Sequence, residues 1–97
     1  MFYHAPVAVF VFTHPSALTP VEDAGTAVEN MFLYARSLGI GSCWIGWFDE
    51  KALKEELQIS PKKKIDIVIS LGYSAEDKVV PKTRKALAEI SSFNKYA

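Results

Sequence analysis

Between Gly39 and Asp49 the chain reads Gly-Ile-Gly-Ser-Cys-Trp-Ile-Gly-Trp-Phe-Asp. No other stretch is as well supplied for binding chemistry. Glycine has no Cβ, so it tolerates positive φ and lets another group come close to the backbone. Tryptophan offers a broad rigid face with one N–H donor. Glycines and tryptophans interleaved this closely could seat a flat ligand, or could serve dense packing. Trp44 and Trp47 are expected in the core or in an interface between subunits, and Gly46 is expected to meet a backbone requirement.

The other chemistry-bearing residues are sparse. Cys43 is the single cysteine. It has no neighbouring His or basic residue to activate it, so it reads as a small buried hydrophobe. His4 and His14 lack a further ligand at metal-binding spacing, and no metal site is expected. Gly39-x-Gly41 follows a helical pattern, which is the wrong context for a dinucleotide fingerprint. Lys62-Lys63-Lys64 reads as a solvated entry to a strand. No nucleophile–base pair emerges, so no catalytic side chain is assigned.

Several elements must position the Gly39–Asp49 stretch. Val7 to Thr13 is a β-branched and aromatic run bounded by Pro6 and Pro15, the pattern of a strand buried on both faces. Thr19, Pro20 and Glu22 form a helix start with N-cap, N1 proline and a capping box. Apolar residues then recur at Val21, Ala24, Val28, Met31, Ala35 and Leu38, and Ala27, Phe32, Leu33 and Tyr34 widen the stripe. A helix apolar on most sides is expected to be buried on most sides. Gly25 inside it predicts close passage of another backbone, and Gly39 predicts the stop. Ser42 to Ile45 can form a short strand. Asp49 then caps a second helix, with Phe48 and Leu53 as a hydrophobic staple and Glu50–Lys54 and Lys51–Glu55 as i,i+4 pairs. Ile59-Ser60-Pro61 ends that helix. Lys64 to Leu71 alternates as a strand with Ile65, Ile67, Ile69 and Leu71 on one face. From Ala75 to Ala97 the chain is polar and basic, with a weak amphipathic pattern at Ala86, Leu87 and Ile90.

The predicted order is strand, long helix, short strand, helix, strand, tail. This is an α/β (α+β) layered sandwich of about three strands with a long buried helix, in one domain over 1–97. Hydrophobic residues make up 49% of so short a chain, more than a small interior readily hides, so part of that surface is expected to face a partner subunit. Eleven Lys and Arg balance eleven Asp and Glu, which speaks against electrostatic capture of nucleic acid or of an anionic membrane. No apolar run is long enough to span a bilayer, and no targeting segment is read. With one cysteine and no intrachain disulfide, a cytoplasmic location is the default expectation.

Taken together, several motifs resemble the flavin-dependent nitroreductase family, specifically its C-terminal half. These are Ala5-Pro6-Val7-Ala8-Val9, the helix from Asp23-Ala24-Gly25 through Asn30 to Leu38-Gly39, the Gly41–Gly46 loop, Leu71-Gly72-Tyr73, and Pro81-Lys82-Thr83-Arg84. The resemblance implies an FMN-dependent oxidoreductase passing hydride from NAD(P)H to nitroaromatic or quinone acceptors. It implies that Ile45, Gly46 and Trp47 pass near the flavin ring and that Lys82 and Arg84 approach the FMN phosphate. In such enzymes the cofactor carries the chemistry, so the lack of a catalytic side chain is consistent with this reading. The family's Arg-x-Ser-x-Arg segment does not occur in the sequence, so the FMN site is expected to be incomplete in this chain, a truncated form of the family. A homodimer, or a complementary N-terminal half, is the expected partner. The alternative reading is a non-catalytic dimerisation or interaction module that has lost flavin binding.

Overall fold

In the computed structural model, which describes residues 4–75 and 80–96, β1 spans Val7–Val11 and α1 spans Pro20–Ser37. They are followed by β2 (Gly41–Ile45), α2 (Glu50–Glu56), β3 (Ile67–Gly72) and α3 (Leu87–Ile90). The three strands form one antiparallel sheet in the order β1-β3-β2. Val11 pairs with Ile67 and Val7 with Leu71 on one side of β3. On the other side, Ile45 pairs with Val68 and Gly41 with Gly72. The layered α/β arrangement is therefore as expected.

The central strand differs from expectation. β1 reads as doubly buried, yet it lies at the sheet edge, is only half-buried, and ends at Val11 rather than Thr13. β3 takes the centre, with Ile67, Val68 and Ile69 all buried. Both segments are runs of large apolar residues; sheet order, a tertiary property, decides which one is enclosed. The two faces of β3 follow its alternation. Ile67 and Ile69 pack with Ala24 and Val28 of α1. Val68 packs with Ile45, Leu53 and Ile65 on the α2 side. Ile65 precedes the strand and joins the Val68 face, so the expected single face of Ile65, Ile67, Ile69 and Leu71 does not form.

Local chemistry explains the helix ends. Thr19 is the N-cap of α1 with Pro20 at its first position, but the capping box with Glu22 is not made. The Thr19 hydroxyl donates instead to Asp23 Oδ1 at 3.1 Å. At the other end, Gly39 adopts φ 74, the left-handed conformation that costs glycine nothing. Gly39 N–H bonds Arg36 C=O at 3.0 Å and Ile40 N–H bonds Ala35 C=O at 2.9 Å, the Schellman closure. The end of α2 repeats this pattern without glycine. Gln58 sits at φ 57, and Ile59 N–H reaches Lys54 C=O at 2.8 Å.

α1 buries one stripe rather than most of its surface. Ala24, Val28 and Ala35 are buried, whereas Val21, Leu33, Tyr34 and Leu38 are exposed. A three-stranded sheet has one face to offer a helix, and the rest of α1 faces outward. Gly25 is open too: a Cβ built there meets nothing within 4 Å, so the expected close backbone is not found among the described residues. Gly72 is the contrasting case, since a Cβ there would lie 3.0 Å from Pro6 Cδ.

Beyond β3, residues 80–96 are exposed throughout. The weak amphipathic pattern becomes α3, four residues held by local bonds such as Ala86 N–H to Glu89 Oε2 at 2.8 Å. Residues 76–79 and 97 of the predicted tail lie outside the described residues. The molecule is consequently open. Its radius of gyration is 17.2 Å, against about 12.5 Å for a compact domain of this length. Its accessible surface is 8520 Å², against roughly 5,500 Å² for a compact monomer of this mass. Among the described residues, no helix is long and apolar enough to cross a membrane.

Candidate functional site

The turn from β2 to α2 carries the predicted ring-proximal residues, and its geometry is that of a short arm clamped at both ends. Ile45, the last residue of β2, is 5% exposed and belongs to the α2-side core. Phe48 packs against the same core, the cluster that contains its expected staple partner Leu53. Asp49 fixes the arm's far end, its Oδ1 accepting from Ala52 N–H at 3.0 Å to start α2. Between the anchors, Gly46 is exposed and Trp47 is 93% exposed.

One expectation is narrowed here, the core half of the core-or-interface reading of Trp44 and Trp47, and two are corrected, those for Cys43 and Gly46. Trp47 is not a core residue: its ring lies almost wholly outside the chain, and Trp44 on the edge strand is also exposed. Cys43 is exposed rather than buried, its Sγ 3.5 Å from the Trp44 carbonyl oxygen. β2 is an edge strand in which only Ile45 is buried, and that position explains both. Gly46 meets no backbone requirement, because its φ is not positive and a Cβ there would have nothing within 4 Å. Neither conformation nor internal packing calls for glycine.

α2 is tied to the sheet by Glu50. Its Oε1 accepts from Ile65 N–H at 3.0 Å and pairs with Lys54 Nζ at 3.1 Å. The backbone hydrogen bond from Ile65, then the bond to Lys54, hold the Glu50 carboxyl below its ordinary value. The second expected pair, Lys51–Glu55, is not an ion pair: among the described residues the one ion pair is Glu50–Lys54. This brace keeps the start of α2, and with it the arm, at a fixed distance from β3.

Lys82 and Arg84, the predicted phosphate ligands, lie on the exposed segment after β3. Arg84 Nη1 donates to the Thr83 carbonyl at 3.1 Å. The segment leaves the sheet at Gly72, which pairs with Gly41, whereas the arm leaves from Ile45, which pairs with Val68. Four strand positions, about 13 Å, separate these two exits along the sheet. No hydrogen bond or ion pair among the described residues joins Lys82 or Arg84 to Ile45, Gly46 or Trp47. The sequence identified the residues of the arm but not its exposure. The signal available was the flanking pair Ile45 and Phe48, both apolar and both followed by helix-start chemistry. Among the described residues, no group of His, Cys, Asp and Glu is placed to hold a metal ion.

Comparison with known proteins bears directly on this geometry. A model of the Nitroreductase family matches residues 1–73, three quarters of the chain. A candidate NADH dehydrogenase/NAD(P)H nitroreductase of Archaeoglobus fulgidus is 44% identical over 62 residues, covering 60% of this chain and 36% of that protein. A nitroreductase with bound FMN from Bacteroides fragilis superposes with a TM-score of 0.73 at 34% identity, covering 94% of this chain and 52% of that one. An FMN-dependent nitroreductase from Clostridium difficile gives 0.78 at 30% identity, with 95% and 59% covered. The chain thus spans roughly a third to three fifths of these relatives. With the family model covering both the clamped arm and the sheet that holds it, the chain belongs to the nitroreductase family.

Proposed function

We propose that this chain supplies part of an FMN site in a nitroreductase-type oxidoreductase, and that a second polypeptide completes the site. The observation that carries this reading is the arm. Gly46 and Trp47 are held out between buried Ile45 and half-buried Phe48, with Trp47 almost wholly exposed and nothing among the described residues within 4 Å of a Cβ at Gly46. Two similar solved proteins are described as containing or depending on FMN.

The residues fit the group. Gly46 leaves its backbone open to the edge of a flat ring, and Trp47 can cover such a ring with its face. Lys82 offers a point charge and Arg84 a bidentate fork to a phosphate dianion. When bound, the flavin would supply hydride transfer from NAD(P)H to a nitroaromatic or quinone acceptor. The chain's own contribution is to position: Ile45 and Phe48 fix the arm, and the Glu50 brace to Ile65 holds α2 behind it.

The second polypeptide is a second copy of the chain or one carrying the family's remaining segments. Two features support it. The surface excess over a compact monomer is roughly 3,000 Å², more than the roughly 1,000–2,500 Å² that each partner buries in most obligate interfaces. α1 also turns Val21, Leu33, Tyr34 and Leu38 outward, beside an unexplained Gly25. The same two features would serve an interaction module without flavin, so the cofactor titration separates the readings. Titrating FMN fluorescence with the assembled protein should give saturable binding. Lys82→Ala with Arg84→Ala should weaken it at least about tenfold, the loss of one or more charge-assisted contacts. Saturable assembly with no FMN binding at about 100 µM, a free energy near −5.5 kcal/mol, would establish the module instead.

A further inference from the structure

A cleft of about 500 Å³ opens where the end of β1, the start of α1 and the α2–β3 connection meet. Lys62, Lys63 and Lys64 line one side of it, with His14 also in the lining. Phe12, Ala17, Pro20 and Val21 add apolar surface. The lining holds one acid, Asp66, whose carboxylate is already engaged. Its Oδ2 accepts from both the Thr13 N–H and the Thr13 hydroxyl at 2.8 Å. None of the three lysines is in an ion pair among the described residues. The cleft therefore combines a rim of net positive charge, three lysines against the Asp66 carboxylate with Lys64 also within the field of Glu50, with an apolar wall.

Three like charges on consecutive residues of one lining repel one another, and an anion placed among them relieves that repulsion as well as gaining attraction. The first turn of α1 adds the positive end of its peptide dipoles at Pro20 and Val21, offset in part by Glu22 and Asp23 on the same turn. The volume lies in the range of small-molecule sites. The cleft sits at the start of β3, whereas the segment bearing Lys82 and Arg84 leaves from its end. Its lining includes neither of those residues.

We propose that this cleft binds a small organic anion, a phosphate or carboxylate head on an apolar body, with Lys62, Lys63 and Lys64 taking the head and Phe12 and Val21 the body. The inference is independent of flavin. It is tested on the full chain without FMN, by titrating phenyl phosphate, benzoate and phenol while following backbone amide resonances. Saturable shifts at His14, Val21 and Lys62 to Lys64 are expected with one or both anions and not with phenol, and the preferred anion identifies the head group. Lys62→Gln, Lys63→Gln and Lys64→Gln together should weaken binding at least about tenfold, as should raising salt from about 0.05 to 0.5 M. Lys51→Gln on α2 should leave it unchanged. The single charge reversal Lys63→Glu gives the same reading with less disturbance, and the spectrum itself reports whether each variant is folded. Shifts that fail to saturate, phenol binding as well as phenyl phosphate, or an affinity untouched by the lysine changes would overturn the proposal.

Discussion

β3 and the segment after it are continuous in sequence and opposite in physical character. Ile67, Val68 and Ile69 are enclosed between α1 and α2. Past the end of the strand, Leu87, Ile90, Phe93 and Tyr96 expose most of their surface. Both regions carry large apolar side chains, so hydrophobicity does not separate them. What separates them is whether the chain itself supplies the facing surface. The arm at Gly46–Trp47 and the outer face of α1 fall with the tail on this criterion. The molecule thus divides into a self-sufficient sheet with two helices and a set of surfaces whose complement lies elsewhere.

The sharpest way to break this division is to truncate one apolar side chain in each region. Ile69→Ala should cost about 2–4 kcal/mol, the loss of a fully enclosed side chain plus its cavity. Phe93→Ala should change the stability of the isolated chain by less than about 0.5 kcal/mol. Urea midpoints measure both. Comparable losses would mean that the tail is part of the folding unit after all.

Gly25 sharpens the comparison on the outer face of α1. Since nothing among the described residues occupies the space beside it, Gly25→Ala should stabilise the isolated chain by up to about 1 kcal/mol through helix propensity. If another chain packs there, the same change should weaken assembly. Stability by denaturation and association by dilution should then move in opposite directions. Movement of both in the same direction would remove Gly25 from any interface.

The smallest effect is expected at the Glu50 brace. Its folded-state pKa is lowered from the ordinary 4.5. The ionised form is therefore favoured in the folded state, and the stabilisation is present above that ordinary value and lost as pH falls through the lowered one. Glu50→Gln should flatten the acid limb of the stability profile and cost a few tenths of a kcal/mol at neutral pH, as suits a partly exposed pair. An unchanged acid limb would show that the bond to Ile65 N–H is not coupled to the carboxyl's charge.

Much of the enclosed region was legible in the sequence. The stop at Gly39 and the Asp49 cap rest on local chemistry and both form, and Phe48 packs against the cluster that holds Leu53, as its staple position suggests. The central place of β3 was not legible, because Val7–Val11 and Ile67–Gly72 present similar apolar runs and only the pairing order distinguishes them. The Gln58 closure of α2 was missed because the usual signal is glycine. At the candidate site, residue types pointed to Ile45, Gly46 and Trp47, but composition left Trp47 between core and subunit interface and favoured burial for Cys43. The exposure of Cys43 goes with β2 being an edge strand, and edges are set by the whole sheet; Trp47 lies past the strand, in the turn to α2. Lys62 to Lys64 read as a solvated strand entry and all three are exposed; their place on a cleft was not legible, because the other lining surfaces, the β1–α1 connection and the first turn of α1, are distant in sequence.

The central claim is that the outward surfaces receive both a second polypeptide and a flavin. Sedimentation velocity of the protein with FMN, recorded at one protein wavelength and one flavin wavelength, tests both parts in a single run. The account predicts a flavin boundary that moves with a species larger than the single chain. A larger species without flavin, or flavin left at the meniscus above a monomer, would contradict it.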